Sequence, residues 1–331
     1  MEKSALPQVV VTRRPPGKAV EMLGEVASVW AFPKNRVISS SELADRARRA
    51  DGLYCMLTDR IDRRFLENAP RLRAISQMAV GVDNIDLAAA TARGIPVGNT
   101  PDVLTETTAD TAFGLLIAAA RRFREGYEEV VDGSWGEWDP MGLVGQDISG
   151  TTLGIVGLGR IGQAIARRAV GFGMRILYTK RSRDHQVEKE LGVEYRTLSE
   201  LLGEADHVVV VTSLHAGTHH LIDREALAMM KPTATLVNAA RGPVVDTEAL
   251  VEALTDHTIG AAGLDVTDPE PIPADHPLVA LPNCFIVPHI GSASVRTRIR
   301  MAERAAQNLV AALENRRMPY CANPEVYDIG P

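Results

Sequence analysis

The chain has 331 residues, 45% of them apolar and 24% charged, with a net charge of −6. This length favours two domains over one core, and the composition is that of an ordinary globular protein. The acidic balance argues against a general nucleic-acid binder, no apolar run reaches the length of a membrane span, and the opening MEKSALPQVVV reads as a strand rather than a signal peptide. Cys55, Cys284 and Cys321 are odd in number and lack metal-ligand spacing. They read as reduced structural thiols of a cytoplasmic protein, with no metal site expected.

In chain order, Gln8–Thr12 reads as a buried strand, Pro15–Val26 as a helix and Ala27–Ala31 as a second strand. Glu42–Arg49 is helical, Gly52–Leu57 and Leu72–Met78 are strands, and helix Leu87–Arg93 leads to strand Ile95–Gly98. This alternation predicts a small parallel α/β domain. Leu104–Arg122 is a long helical stretch expected to cross to a second domain, and Gly133–Gly145 is a loop rich in Gly and Trp. Later strands are predicted at Leu153–Val156, Arg175–Thr179, His207–Thr212, Thr235–Asn238, Gly260–Asp265 and Phe285–Val287, with helices between them; Asp246 is a plausible N-cap. Ser294–Glu314 is a long helix expected to return the chain to the first domain. Both regions read as open doubly wound sheets, so ligands are expected in the cleft between them.

Around Leu153–Gly173 the pattern is specific. Gly157, Gly159 and Gly162 form G-x-G-x-x-G between a short apolar strand and the helical stretch Gln163–Phe172. Gly157 suits a tight turn, Gly159 lets backbone approach a pyrophosphate, and Gly162 lets the helix pack close to the strand. The helix N-terminus then faces the anion, so this is read as a dinucleotide site.

Three further positions lie just past predicted strand ends: Arg241 after Asn238, Glu270 after Asp265, and His289 after Val287. Reduction of a 2-keto acid needs a cation to hold the carboxylate and polarise the carbonyl, an acid to protonate the forming alkoxide, and a partner to hold that acid. Spacing alone does not make the three converge. Singly, Arg241 could be a surface charge, Glu270 a solvated loop acid and His289 a core histidine.

NAARGPVVD (Asn238–Asp246), GLDVTDPEP (Gly263–Pro271) and PHIGSAS (Pro288–Ser294) resemble the signatures of the D-isomer-specific 2-hydroxyacid dehydrogenase family, and the likeness runs from about Val9 to Asn323. The resemblance implies a Rossmann NAD(P)-binding domain, residues 104–293, inserted into a flavodoxin-like substrate-binding domain, residues 1–103 and 294–331. It implies Arg241 as substrate-binding and polarising residue, His289 as general acid/base and Glu270 as its partner, a pairing that favours imidazolium. It implies cofactor contacts from Thr108, Gly157, Leu158, Gly159, Arg160, Ile161, Thr212, Ser213, Thr218, Ala239, Ala240, Asp265, Gly291 and Ser292. Leu57, Val80 and Gly81 are implied to meet the substrate.

A dinucleotide site that prefers NAD carries an acid about twenty positions past the glycines. Here the strand ends in Lys180-Arg181-Ser182, Lys180 standing 23 positions after Gly157, and Asp184 comes too late. A guanidinium binds a 2′-phosphate bidentately, so NADPH is expected to be preferred through Lys180, Arg181 and Ser182, with NADH a weaker alternative. Within the family, Leu53–Asp62, Ala79–Asp86 and Ser134–Gly162 are most similar to the glyoxylate and hydroxypyruvate reductases. These reduce small 2-keto acids, and in some of them the residue matching Trp138 reaches a neighbouring subunit, which implies a homodimer. An aromatic anchoring its own loop is the equal alternative for Trp138. Two departures stand out: Ser213-Leu214-His215 replaces a usual Pro-Leu-Thr, and His219-His220 occupies a turn and reads as structural. Val80 stands where phosphite dehydrogenase carries lysine, and Lys180 replaces an acid usual in lactate- and phosphoglycerate-type enzymes. A corepressor-type interaction protein on the same scaffold would keep the trio, so the trio does not separate it from an enzyme.

Overall fold

The computed structural model describes residues 6–328, which divide into two compact units. The first comprises residues up to Leu104 together with those from Ala293 onward, and the second comprises Thr105–Ser292. The first unit carries five parallel strands: β1 (Gln8–Val11), β2 (Ser28–Ala31), β3 (Gly52–Cys55), β4 (Ala74–Gln77) and β5 (Val97–Gly98). Their order is β2-β1-β3-β4-β5, a doubly wound sheet. Val10, Leu53, Cys55, Ile75 and Val97 fill one face against Phe32, Leu43 and Leu66. Helix Val295–Leu313 covers the other: a Cβ on Gly52 would lie 3.2 Å from Leu309 Cδ1, and the Tyr54 hydroxyl donates to the Ala302 carbonyl at 3.1 Å.

The second unit carries seven parallel strands: β6 (Thr152–Val156), β7 (Arg175–Thr179), β8 (Glu194–Tyr195), β9 (His207–Val210), β10 (Thr235–Asn238), β11 (Ala261–Leu264) and β12 (Cys284–Ile286). Their order, β12-β11-β10-β9-β6-β7-β8, reverses direction between β6 and β9, which places a crevice at the carboxyl ends of those two strands. This is the Rossmann arrangement.

Four expectations need correction. The helix expected from Pro15 begins at Ala19, because Pro15 and Pro16 are followed by Gly17 at φ +70°, outside the helical region. The long helix expected over Leu104–Arg122 spans Thr105–Ala120 and lies wholly in the second unit, its apolar Ala112, Phe113, Leu115 and Leu116 joining that unit's core. The chain changes unit just ahead of it, and again just ahead of helix Val295–Leu313, so neither helix is itself the crossing. A further helix, Phe123–Asp132, follows Arg122, which turns the chain at φ +55°.

Candidate active site

In the second unit the glycine turn has the shape its sequence demands. Gly157 sits at φ +105°, and a Cβ there would come within 2.8 Å of the Thr212 nitrogen past the end of β9. A Cβ on Gly162 would fall on the Gly157 carbonyl, so only glycine lets helix Arg160–Gly171 start this close to β6. Gly159 caps that helix and faces open space, which leaves room for a pyrophosphate at the helix N-terminus. These residues fit the pyrophosphate of a dinucleotide.

Past β7, Lys180 Nζ pairs with Asp184 Oδ2 at 3.1 Å, and Asp184 also caps helix His185–Leu191 by accepting from Val187 N–H at 3.2 Å. The Lys180 bond, first among the causes, holds the Asp184 carboxyl below its ordinary value. Arg183 and the Tyr178 hydroxyl converge on Glu188, each at 2.7 Å. The acids of this segment are thus spent on its own cations and cap, while Arg181 and Ser182 stand exposed. Thr218, expected beside the cofactor, is buried and clamps its own loop: its hydroxyl donates to the Ser213 carbonyl at 2.7 Å and accepts from His215 N–H at 2.9 Å.

The three chemistry-bearing loops lie next to one another along the sheet edge. At the end of β10, Asn238 accepts from Ala240 N–H at 3.1 Å and donates to the Arg241 carbonyl at 2.9 Å, shaping the loop that carries Arg241. A Cβ on Gly242 would fall on the Thr267 carbonyl, so this loop packs directly on the one that leads to Glu270. The Thr267 hydroxyl donates to the Pro269 carbonyl at 2.8 Å and the Thr247 hydroxyl to that of Asp268 at 2.9 Å. At the end of β11, the buried Asp265 carboxylate accepts from Ile290 N–H at 2.7 Å and Gly291 N–H at 3.0 Å, and its carbonyl accepts from His289 N–H at 2.9 Å. Those bonds fix His289 at φ +52°, a left-handed conformation that a non-glycine residue adopts only under constraint. Gly291 in turn lies against buried Thr108, and a Cβ on it would stand 3.4 Å from Thr108 Cγ2.

His289 Nδ1 then meets Glu270 Oε1 at 2.6 Å. Burial raises the Glu270 carboxyl, but the bond to His289, the His289 charge, a Thr267 backbone contact and the Arg241 charge together hold it below its ordinary value. Burial pushes Asp265 up, only partly offset by the Ile290 N–H. A carboxylate on Nδ1 makes that nitrogen the donor and leaves Nε2 to exchange a proton with a ligand. The arrangement offers a cation, an oriented imidazole and its counter-charge.

In the first unit the loop after β4 shows an order that sequence reading missed. The Ala79 carbonyl accepts from Thr100 N–H at 2.9 Å, that of Val80 from Asn99 Nδ2 at 2.9 Å, and that of Gly81 from Gln77 Nε2 at 2.6 Å. All three carbonyls are tied back, while the N–H groups of Val80 and Gly81 have no acceptor among the described residues. Asn84 locks the device, exchanging bonds with Gln77 at 2.7 and 2.8 Å and donating to the Asp59 carbonyl at 2.7 Å. Buried Asp59 accepts from the Thr12 hydroxyl at 2.5 Å and Met56 N–H at 2.8 Å, next to half-buried Leu57. Gln77 and Asn84 carry one legible signal, polar amides at the end of a buried strand.

The residue model of the D-isomer-specific 2-hydroxyacid dehydrogenase NAD-binding domain matches residues 113–291. A glyoxylate reductase from Thermococcus onnurineus is 48% identical over 327 residues, covering 98% of each chain. The chain belongs to the D-isomer-specific 2-hydroxyacid dehydrogenase family. It is therefore an NAD(P)-dependent oxidoreductase. Among solved structures, the TT0316 protein from Thermus thermophilus superposes with a TM-score of 0.89 at 50% identity, covering 95% of this chain and 99% of that one. An NADPH-dependent glyoxylate/hydroxypyruvate reductase from Sinorhizobium meliloti, in complex with NADP and malonate, superposes with a TM-score of 0.84 at 31% identity, covering 97% and 98%.

In this dehydrogenase helix Phe123–Asp132 has no buried residue. It is anchored by Arg124, which donates to the carbonyls of Val279, Leu281 and Cys284 at 2.8 Å. Phe123, Tyr127, Val130 and Val131 form a stripe along it, all more than half exposed, and Trp138 follows at 85% exposure. His219 and His220 stack at 4.0 Å, and no group of residues able to hold a metal ion occurs among the described residues. No helix among them is long and apolar enough to cross a membrane.

Proposed function

We infer that this dehydrogenase reduces small 2-keto acids, glyoxylate to glycolate and hydroxypyruvate to D-glycerate, with NADPH as the preferred reductant. The observation that carries the reading is the 2.6 Å contact of Glu270 with His289 Nδ1, on a loop next to that of Arg241. When bound, the dihydronicotinamide supplies the hydride that forms the new C–H bond at the keto carbon. Arg241 holds the substrate carboxylate and polarises the carbonyl; in the first unit the Val80 and Gly81 N–H groups are donors suited to a carboxylate, and Leu57 is assigned to the substrate. His289 Nε2 gives its proton to the carbonyl oxygen as the hydride arrives, and Glu270 holds the imidazolium oriented. Thr108, Leu158, Arg160, Ile161, Thr212, Ser213, Ala239, Ala240, Asp265, Gly291 and Ser292 line the cofactor, with Thr218 shaping its loop.

The NADPH preference rests on exposed Arg181 and Ser182 and on the absence of an acid at position 180. Lys180 adds to it by neutralising Asp184, which would otherwise repel a 2′-phosphate. A regular apolar stripe left exposed on helix Phe123–Asp132, with Trp138 beyond it, supports a homodimer formed through that face. Three unpaired cysteines suit a reducing compartment such as the cytoplasm. Steady-state rates with NADPH and NADH against glyoxylate, hydroxypyruvate, pyruvate and phenylpyruvate test the reading. Higher kcat/KM with NADPH and the two small hydroxyl- or hydrogen-bearing acids is expected. Equal efficiency with NADH removes the Arg181 argument, a preference for phenylpyruvate removes the substrate assignment, and no turnover with any of them favours an interaction protein.

A further inference from the structure

A cavity of about 450 Å³ opens in the first unit, and its lining includes Arg73, Arg93, Arg316, Arg317 and Tyr327 but no carboxylate side chain. Leu72 and Arg73 lead into β4, and Ile95 and Pro96 lead into β5, so the cavity lies at the amino edge of that sheet. The Ala79–Gly81 loop follows the same β4 at the carboxyl edge, separated by a strand length of roughly 13 Å. The cavity is therefore distinct from the loop that carries the substrate-facing N–H groups.

Its four guanidinium groups are not equally compensated. Arg316 pairs with Glu314, and Arg317 reaches Asp328 at 4.0 Å while lying over the Tyr327 ring at 5.1 Å. Arg93 donates instead to backbone carbonyls, those of Leu66 and of Ala69, the latter at 3.0 Å, which fixes its fork without neutralising it. Arg73 has no acidic partner among the described residues, and neither does Arg93. Arg73 and Arg93 are solvent-exposed, and two cations without acidic partners in one concave site, one of them held rigid, suit a ligand with at least two negative charges. Planar guanidinium forks suit oxyanions best.

We propose that this cavity is a second binding site, for a small multivalent oxyanion of the phosphate-ester or polycarboxylate class, held by Arg73 and Arg93 with Arg316 and Arg317 at its rim. The test is calorimetric titration of the full-length protein, saturated with NADPH so that the glycine turn is filled, at constant ionic strength. Pyrophosphate and citrate serve as separate probes, and the one that binds more tightly tells phosphate from carboxylate chemistry. One site per chain is expected, with affinity lowered at least tenfold in Arg73→Gln and in Arg317→Gln and unchanged in the surface control Arg48→Gln. Arg93 is left intact because it also ties down the Leu66–Ala69 turn. Turnover of keto acid by Arg73→Gln without anion should match the unaltered protein, which shows that the variant is folded. No binding of either probe at millimolar concentration, or equal binding by Arg73→Gln, overturns the proposal.

Discussion

Replacing Glu270 by Gln keeps an oxygen opposite His289 Nδ1 and removes only the charge. The bonded atoms are 2.6 Å apart. With charge centres about 4 Å apart, two unit charges attract by about 4 kcal/mol at an effective dielectric of about 20. The side chains of His289 and Glu270 are 25% and 34% exposed, and solvent screening reduces that attraction to about 1–2 kcal/mol. The loss falls on the imidazolium, the form that donates the proton, so reduction by Glu270→Gln is expected to slow about five- to thirty-fold at neutral pH. Because the deficit comes from the missing Glu270 charge, it should be present wherever the unaltered Glu270 is ionised and shrink only where that carboxyl takes up a proton. The unaltered Glu270 carboxyl is held below its ordinary value, so it stays charged across this range and contributes no limb of its own above about pH 5. Initial rates of NADPH oxidation with glyoxylate between about pH 5 and 9 make the test, with NADPH affinity by fluorescence as the control. Superimposable profiles for the two proteins would refute the reasoning.

Three more outcomes follow from the geometry. Asn84→Ala unlocks Gln77 from the Gly81 carbonyl, and the loss of about 1–2 kcal/mol of ordering should raise KM for glyoxylate about tenfold while kcat and NADPH affinity hold. An unchanged KM would show that the tied-back carbonyls do not present the Val80 and Gly81 N–H groups. Gly242→Ala places a methyl on the Thr267 carbonyl and should push the Arg241 loop from the one that carries Glu270, lowering kcat/KM by on the order of 10²-fold in a protein that still binds NADPH. Tyr127→Glu combined with Val131→Glu puts two charges on the exposed stripe, and sedimentation should find monomers for this variant and, as proposed, a dimer for the unaltered chain. A dimer that survives both changes would place the interface elsewhere.

What the sequence disclosed was the part governed by local rules. Apolar runs of four to five residues marked the central strands of both sheets, and the glycine spacing located the β6 turn because each glycine there answers a separate steric demand. Helix Phe123–Asp132 escaped because Arg121 and Arg122 look like a helix end and no core pulls on the segment. Yet Phe123, Tyr127, Val130 and Val131 fall at i, i+4, i+7 and i+8, a helical stripe visible in the sequence once sought. The two-residue β8 was too short to leave a period. In the site, the strand ends located Arg241, Glu270 and His289, but not the means of holding them. The roles of Asp265 as anchor of the His289 loop, and of Gln77 and Asn84 as a lock on Gly81, depend on pairings across four to twenty-six positions that the hydrophobic period does not encode. Lys180 and Asp184 stand only four positions apart and both were visible in the sequence, but their pairing, with Asp184 also capping the next helix, was not read there.

The most direct measurement compares His289→Asn with the unaltered protein in a single turnover, NADPH prebound and glyoxylate added in excess, following nicotinamide absorbance and glycolate formation together. If His289 is the proton donor, the unaltered protein converts its bound NADPH to an equal amount of glycolate. His289→Asn should bind NADPH with the same affinity but react on the order of 10²- to 10⁴-fold more slowly. Reduction at an undiminished rate by His289→Asn would contradict the account, since Glu270 and the strained loop that Asp265 fixes would then serve no proton.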